Sequence, residues 1–351
     1  MKPLFAAFLA TASLLTVAAA PTGGIDFARL QGAAPPPTLD AYRLFEGPGV
    51  DHPAAGVTPY ALNTPLFSDY AEKFRAVALP PGKAATYTRD GILDFPVGTT
   101  LIKTFAYPAD FRRPDQNVRL IETRLLIRKR SGWAPLTYVW NADQTQATLR
   151  RAGARVPVSF LDKDGAKVSF SYAVPNQNQC KECHSLGRTL TPIGPKARNL
   201  NGEYAYAEGV ENQIAHWTKA GMLKGAPPPS AIAATPRWDD PAQPLAQRAR
   251  AYLDGNCAHC HNAKAAASNS GLVLTYEAAD PMAIGVGRRP VAAGRASGGF
   301  DYDIAPGRPD LSIMVHRMQS TDPGTMMPEL SRTLIDKDGV ELIRQYIAAM
   351  K

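Results

Sequence analysis

The chain has 351 residues, 39 Lys and Arg against 31 Asp and Glu, a formal charge of +8, 45% hydrophobic and 20% charged residues. That length suggests two or three domains, and a chain of this composition can bury ordinary cores. No dense Lys/Arg run interleaves with aromatics, which argues against a nucleic-acid partner, while a mild basic balance suits an acidic protein partner.

Residues 1–19 read as a secretory signal: Lys2 is the positive n-region, Leu4 to Val17 an apolar stretch, and Val17-Ala18-Ala19 a small-residue cleavage site. Pro21 disfavours a cut after Ala20, which selects the bond after Ala19. The apolar run falls short of the ~20 residues a spanning helix needs. The expectation is an exported, periplasmic protein with no stable membrane anchor after cleavage; an uncleaved anchor is the alternative. Residues 20–40, rich in Ala, Pro and Gly, read as a flexible leader.

Residues 41–175 have a β texture. Leu101 to Tyr107, Leu120 to Arg128, Leu136 to Trp140, Val156 to Phe160 and Val168 to Tyr172 are rich in β-branched and aromatic residues. Turn clusters such as Pro80-Pro81-Gly82, Arg89-Asp90-Gly91 and Asp162-Lys163-Asp164-Gly165 punctuate them. Strands at such intervals predict a sandwich-like β domain. Glu122, Arg124 and Trp140 could mark a binding face, but in-strand alternation explains them as well.

All four cysteines then fall in two pentapeptides, Cys180-Lys181-Glu182-Cys183-His184 and Cys257-Ala258-His259-Cys260-His261. Cys-x-x-Cys-His is the attachment pattern of c-type haem: the thiols add to the porphyrin vinyls and the histidine supplies the proximal nitrogen. A zinc ribbon spaces its knuckles roughly 15–20 residues apart, whereas these lie 77 positions apart. A thioredoxin-like motif needs no following histidine, and two disulfides would leave the paired histidines a coincidence. The residues point to two covalent haem c groups on Cys180, Cys183, Cys257 and Cys260, with His184 and His261 as metal ligands.

Residues 176–240 form a first haem region and Pro-rich linker. No helix is read leading into Cys180; Glu208 to Leu223 is read as one helix with Val210, Ile214, Trp217 and Gly221 on a stripe, ended by Gly225 and Pro227-Pro228-Pro229. Residues 241–351 carry Leu245, Ala249, Tyr252 and Leu253 on a stripe running into Cys257, a helix opened by Pro309-Asp310, and a terminal helix N-capped by Asp336 with Val340, Ile343, Ile347 and Met350 inward. That is the plan of a cytochrome c-type domain. The fold class expected is multidomain α+β: a sandwich-like β-rich N-terminal domain followed by two mainly α-helical cytochrome c-type haem regions.

With these motifs the chain resembles a family of bacterial di-haem c-type cytochromes with a β-rich N-terminal region and largely unassigned function. The segments that match are Tyr60 to Asp69, Phe95 to Thr99, Ile121 to Leu126, Tyr138 to Asn141, Asn178 to His184 and Arg248 to Leu253. The resemblance spans nearly the whole mature chain and implies haem binding and electron transfer.

The sixth iron position separates electron transfer from ligand chemistry. For the second haem, Met327 in Thr325-Met326-Met327-Pro328 lies about 65 residues after His261, with Met326 as the alternative; Met314 and Met318 read as core. For the first haem, Met222 beside Gly221 and His216 are the candidates, with an open site or His52 remaining. Thr191 to Lys196 resembles the Gly-Pro loops that line haem edges, or is simply a turn. The leading function is a di-haem carrier passing electrons between periplasmic partners, a redox protein or a dehydrogenase. The alternatives are a haem enzyme of peroxidase or dehydrogenase type with an open first haem, and a sensory or binding module.

Overall fold

The computed structural model describes residues 24–291 and 293–351; the signal expected over 1–19 lies outside the described residues. Runs rich in β-branched and aromatic residues build one antiparallel sheet from β1 (Val57–Pro59), β2 (Glu72–Ala78), β4 (Thr100–Tyr107), β5 (Arg119–Lys129), β6 (Gly132–Trp140) and β7 (Ala147–Leu149), in that spatial order. The short β3 (Ala85–Thr86) instead pairs in parallel with β14 (Leu223–Lys224). The hairpin of β8 (Ala154–Leu161) and β9 (Lys167–Val174) forms a separate two-stranded sheet.

The two sheet faces have different fates. On the back, Ala76, Ile102, Leu125 and Tyr138 pack against Leu30, Leu39, Tyr42 and Leu44 from the N-terminal segment, each buried aliphatic contributing roughly 1.5–3 kcal/mol. That segment carries α1 (Phe27–Gln31), and its Leu39 N–H donates to Ala147 O. Residues 24–40 are therefore ordered sheet packing where a flexible leader was expected. On the front, Val77, Leu101 and Leu126 pack on Leu200, Ile214 and Trp217, and Phe105, Tyr107 and Ile121 pack under the β8–β9 hairpin.

The remaining chain is short elements. They are α2 (Gln177–His184), β10 (Ser185–Leu186), β11 (Thr189–Leu190), α3 (Ala197–Leu200), β12 (Glu203–Tyr206), β13 (Gly209–Asn212) and α4 (Gln213–Lys219), then α5 (Leu245–Asn256), α6 (Pro281–Ile284), α7 (Ile313–Gln319) and α8 (Lys337–Ala348). The C-terminal core joins Tyr252 and Leu253 of α5, Val315 of α7, and Leu342, Ile343 and Ile347 of α8. The Asp336 carboxylate caps α8 by accepting from Gly339 N–H and Tyr252 Oη–H; a Cβ at Gly339 would overlap the Tyr252 ring. No helix among the described residues is long and apolar enough to cross a membrane.

The expected fold class is corrected here. The chain is mainly β, built on one large antiparallel sheet, with only eight short helices among the described residues. The region of the first motif is hairpins and helices of four to eight residues, and the C-terminal region has two twelve-residue helices joined by long irregular connections. The helix read over Glu208 to Leu223 starts only at Gln213, capped by Asn212, because Val210 sits 68% exposed on β13 and never belonged to the stripe. Likewise Pro309-Asp310 opens a 3-10 turn, and α7 begins after it.

A strap from Tyr60 to Asp69 ties the regions together. Its Asn63 and Thr64 N–H groups donate to Asn199, Phe67 N–H to Asn256 Oδ1, and Asp69 accepts from the 333–334 backbone. The strap holds the front of the sheet against both motif-bearing regions.

Candidate functional site

The first motif lies on α2. The polar run before it is a capping box: Asn176 Oδ1 accepts from Asn178 and Gln179 N–H, and Gln179 Oε1 accepts from Asn176 N–H. A helix thus does lead into Cys180, contrary to the sequence reading, and puts Cys180, Cys183 and His184 at i, i+3 and i+4 on one face. Ser185 ends it in extended conformation. His184 Nδ1 is 2.8 Å from Thr191 O. A carbonyl only accepts, so Nδ1 carries the proton and Nε2 keeps its lone pair.

The second motif follows α5 as expected. Cys257 is the C-cap, its N–H bonded to Leu253 O, and the chain turns through Cys260 and His261, whose N–H groups both bond Cys257 O. His261 Nδ1 lies 3.0 Å from Ser270 Oγ, and the Ser270 hydroxyl donates to Ala267 O at 2.7 Å. With its proton committed there, Ser270 can only accept from His261, so here too Nε2 carries the lone pair. Burial pushes both imidazoles down to about 4, so both are neutral near pH 7. A histidine fixed through one nitrogen, with the other free, is the form that ligates a metal.

Both motifs line one cavity of about 580 Å³ between the front of the sheet and the C-terminal core, in the roughly 300–1,000 Å³ range of cofactor pockets. All four cysteines are free thiols, and all four line it with His184 and His261. Burial raises the Cys180 and Cys257 thiols, Cys257 to about 12. The neighbouring Cys260 thiol, and after it burial, raises Cys183, while Cys183 lowers Cys260. The Cys183, His259 and Cys260 donor atoms all lie within 4.8 Å of one another.

The structure sorts the expected sixth ligands. Met327 lines the cavity; Met326 is buried beside it but outside the wall. Met314 and Met318, read as core, also reach the wall, while Met318 packs in the C-terminal core as well. Met222 and His216 lie away from the cavity wall. Met222 packs in the front core with its Sδ accepting from the Thr58 hydroxyl at 3.3 Å. His216 bonds Glu211 through Nδ1 at 2.9 Å and stacks on Tyr206 at 3.6 Å. Neither lines the cavity, because α4 is a single short segment whose apolar face turns to the sheet. His52 is exposed and absent from the wall. The Thr191 to Lys196 loop does line the cavity from Pro192 onward, and a Cβ on Gly194 would stand 2.7 Å from Leu62 Cδ1.

Sequence reasoning missed the groups that hold the wall. Asp254, one helical turn before Cys257, accepts from Lys196 at 2.8 Å and Arg198 at 3.0 Å, locking the first motif's loop to the second motif's helix. Arg198 also pairs with Glu277. Thr191 and Ser270 carry no sequence signal beyond standing seven and nine positions after their histidines. The sheet contributes Arg75, Lys103 and Arg124 to the wall, cations that no motif announces. Comparisons with protein-family models, curated proteins and solved structures match nothing to this chain.

Proposed function

We propose that this protein carries two covalently attached haem c groups, on Cys180/Cys183 and on Cys257/Cys260, and passes electrons between redox partners outside the cytoplasm. The observation that carries the reading is the matched pair of neutral histidines, His261 buried and His184 half-buried, each oriented through Nδ1 with Nε2 on the wall of one cavity. The donor set fits: four thiols for four thioethers, two proximal imidazoles, and a thioether, Met327, in the same wall. Bound haem would supply a one-electron iron couple. The chain's part is to keep that couple dry and near its neighbour. Apolar residues from the sheet and the C-terminal core enclose the cavity, and the Asp254 ion pairs fix the two motifs against each other. A Met327 ligand would favour a higher potential than a second histidine. The chain's resemblance to di-haem cytochromes, the signal read over residues 1–19 and the mild positive charge agree with an exported carrier facing a redox protein or dehydrogenase.

Intact-mass measurement of protein from a haem-attaching host tests this. We expect two haem additions, one lost in Cys180→Ser/Cys183→Ser and the other in Cys257→Ser/Cys260→Ser. Bare apoprotein mass would overturn the reading.

Two observations favour other uses. With Met222 and His216 outside the cavity, the first haem is left without either expected sixth ligand, which favours a haem enzyme of peroxidase or dehydrogenase type; carbon monoxide binding by one haem of two would support it. The approach of Cys183, His259 and Cys260 favours a bound Zn²⁺-like ion. That reading leaves Cys180, Cys257, His184 and His261 unused, and a metal count of one at apoprotein mass would decide for it.

A further inference from the structure

The sheet register sets three cations in one row. Arg75 on β2 stands opposite Lys103 on β4, which stands opposite Arg124 on β5, with Thr137 next on β6. Along β4 this front face reads Leu101, Lys103, Phe105, so the row lies between two apolar clusters. Like charges directly opposite are destabilising, and burial makes them more so. Arg124 is neutralised by a bidentate pair with Glu122, at 2.5 and 2.9 Å. The other two are not. Among the described residues Arg75 Nη1 reaches only Lys73 O, and its Nη2 is buried with no hydrogen-bond partner. Lys103 Nζ stands over the Phe105 ring at 4.7 Å, and no carboxylate among the described residues bonds it. The wall's buried carboxylates sit elsewhere: Asp254 on Lys196 and Arg198, Asp336 on Tyr252 and Gly339, and Asp303 near Arg288 and Arg317. Glu182 and Glu329 are exposed. Burial, and after it the neighbouring cations, hold the Lys103 ammonium well below its usual range.

We infer that Arg75 and Lys103, backed by Arg124, form a cradle for carboxylate groups presented inside the cavity. Its sources are the propionates that each haem bears, or a free polycarboxylate. The cofactor source rests on the proposed haem reading and deepens it, naming the wall that faces the propionate edge.

The test uses the holoprotein, with haem per chain counted first, then resonance Raman propionate bending bands and reduction potentials for wild type, Arg75→Gln, Lys103→Met and Arg75→Lys. We expect the neutral variants to shift the bending bands and lower at least one potential, since a cation that stabilises the added electron is gone. Arg75→Lys keeps charge without the planar fork and should fall between; it also keeps the test alive if Arg75→Gln fails to fold. A wild-type potential that responds to sodium citrate at fixed ionic strength, with the response lost in Arg75→Gln, supports the free-anion source. Unchanged bands and potentials with no citrate response, at two haems per chain, overturn the cradle and leave the haem reading standing. A colourless chain overturns the haem reading; calorimetry with citrate then decides the cradle, binding that Arg75→Gln abolishes supporting it and no binding overturning it.

Discussion

Asp69 accepts the backbone N–H of Thr333 at 2.6 Å through the same Oδ1 that takes Leu334 N–H at 2.7 Å. One carboxylate on the sheet's strap thus holds the loop that follows Met327, across 264 positions of sequence. Removing it leaves two donors unpaired in a half-buried place, at a cost of about 1 kcal/mol each. Burial raises the Asp69 pKa, and the two backbone bonds offset this only in part. A carboxyl raised on folding contributes stability fully below its unfolded value and loses it as pH rises through the folded value. Asp69→Asn keeps an acceptor and drops the charge. Denaturant midpoints at pH 4 and pH 7 should show Asp69→Asn well above Asp69→Ala, and less pH-dependent than wild type. Equal midpoints for the two variants would mean that the bonds contribute nothing.

Asp254 behaves in the opposite sense. Desolvation pushes its carboxyl up, but Lys196 and Arg198 outweigh this and hold it below the usual value. Its contribution is present above the unfolded pKa and lost as pH falls through the folded one. Asp254→Asn leaves Lys196 without its carboxylate and Arg198 with only Glu277, and should cost about 3 kcal/mol. The loss should be largest near neutral pH and shrink under acid, read from urea unfolding across a pH series. A loss that stays constant with pH would assign it to packing instead.

The legible parts were those set by local pattern. The strands from Leu101 to Tyr172 announce themselves by β-branched and aromatic runs between turn residues, and α8 by Asp336 followed by a clean stripe. The α2 capping box was also written in the sequence, as Asn176 and Gln179 three apart. The errors came where an apolar residue matched a period by accident, as Val210 did, or where helix periodicity had to choose between two neighbours. Met314 and Met318 are both core and cavity wall, and a wheel assigns one face to one role. Arg75, Lys103 and Arg124 lie far apart in sequence, and only strand register brings them into a row.

His216 and Met222 supply a negative prediction. The His216 ring is held by Glu211 and Tyr206, and the Met222 sulfur is met by Thr58, all outside the cavity. His216→Ala should cost about 1 kcal/mol through its lost hydrogen bond, and Met222→Leu less than about 1.5 kcal/mol as a volume-conserving change. If the proposed haems are attached, low-temperature EPR of the oxidised holoprotein should be the same as wild type in both. A changed low-spin signal in either variant would mean that the first haem draws that residue out of its present contacts.

Met327 and Met326 give the sharpest separation, because adjacent side chains point to different places. Met327 is in the cavity wall, with its N–H on Arg317 O and its carbonyl accepting from Arg332 Nε. Met326 is buried at 9% exposure behind it. If the Met327 thioether is the sixth ligand of the haem on His261, Met327→His should lower one reduction potential, since histidine in place of methionine favours the oxidised iron. Met327→Ala should open that position and let one haem bind carbon monoxide quickly. Met326→Leu should leave spectrum and potential alone and cost under about 1.5 kcal/mol of stability. The reverse pattern, in which Met326→Leu changes the spectrum and Met327→Ala does not, would require the loop to turn over when haem is attached. Indifference to both, with a response to Met314→Leu, would move the sixth ligand to α7, the other methionine-bearing element of the same wall.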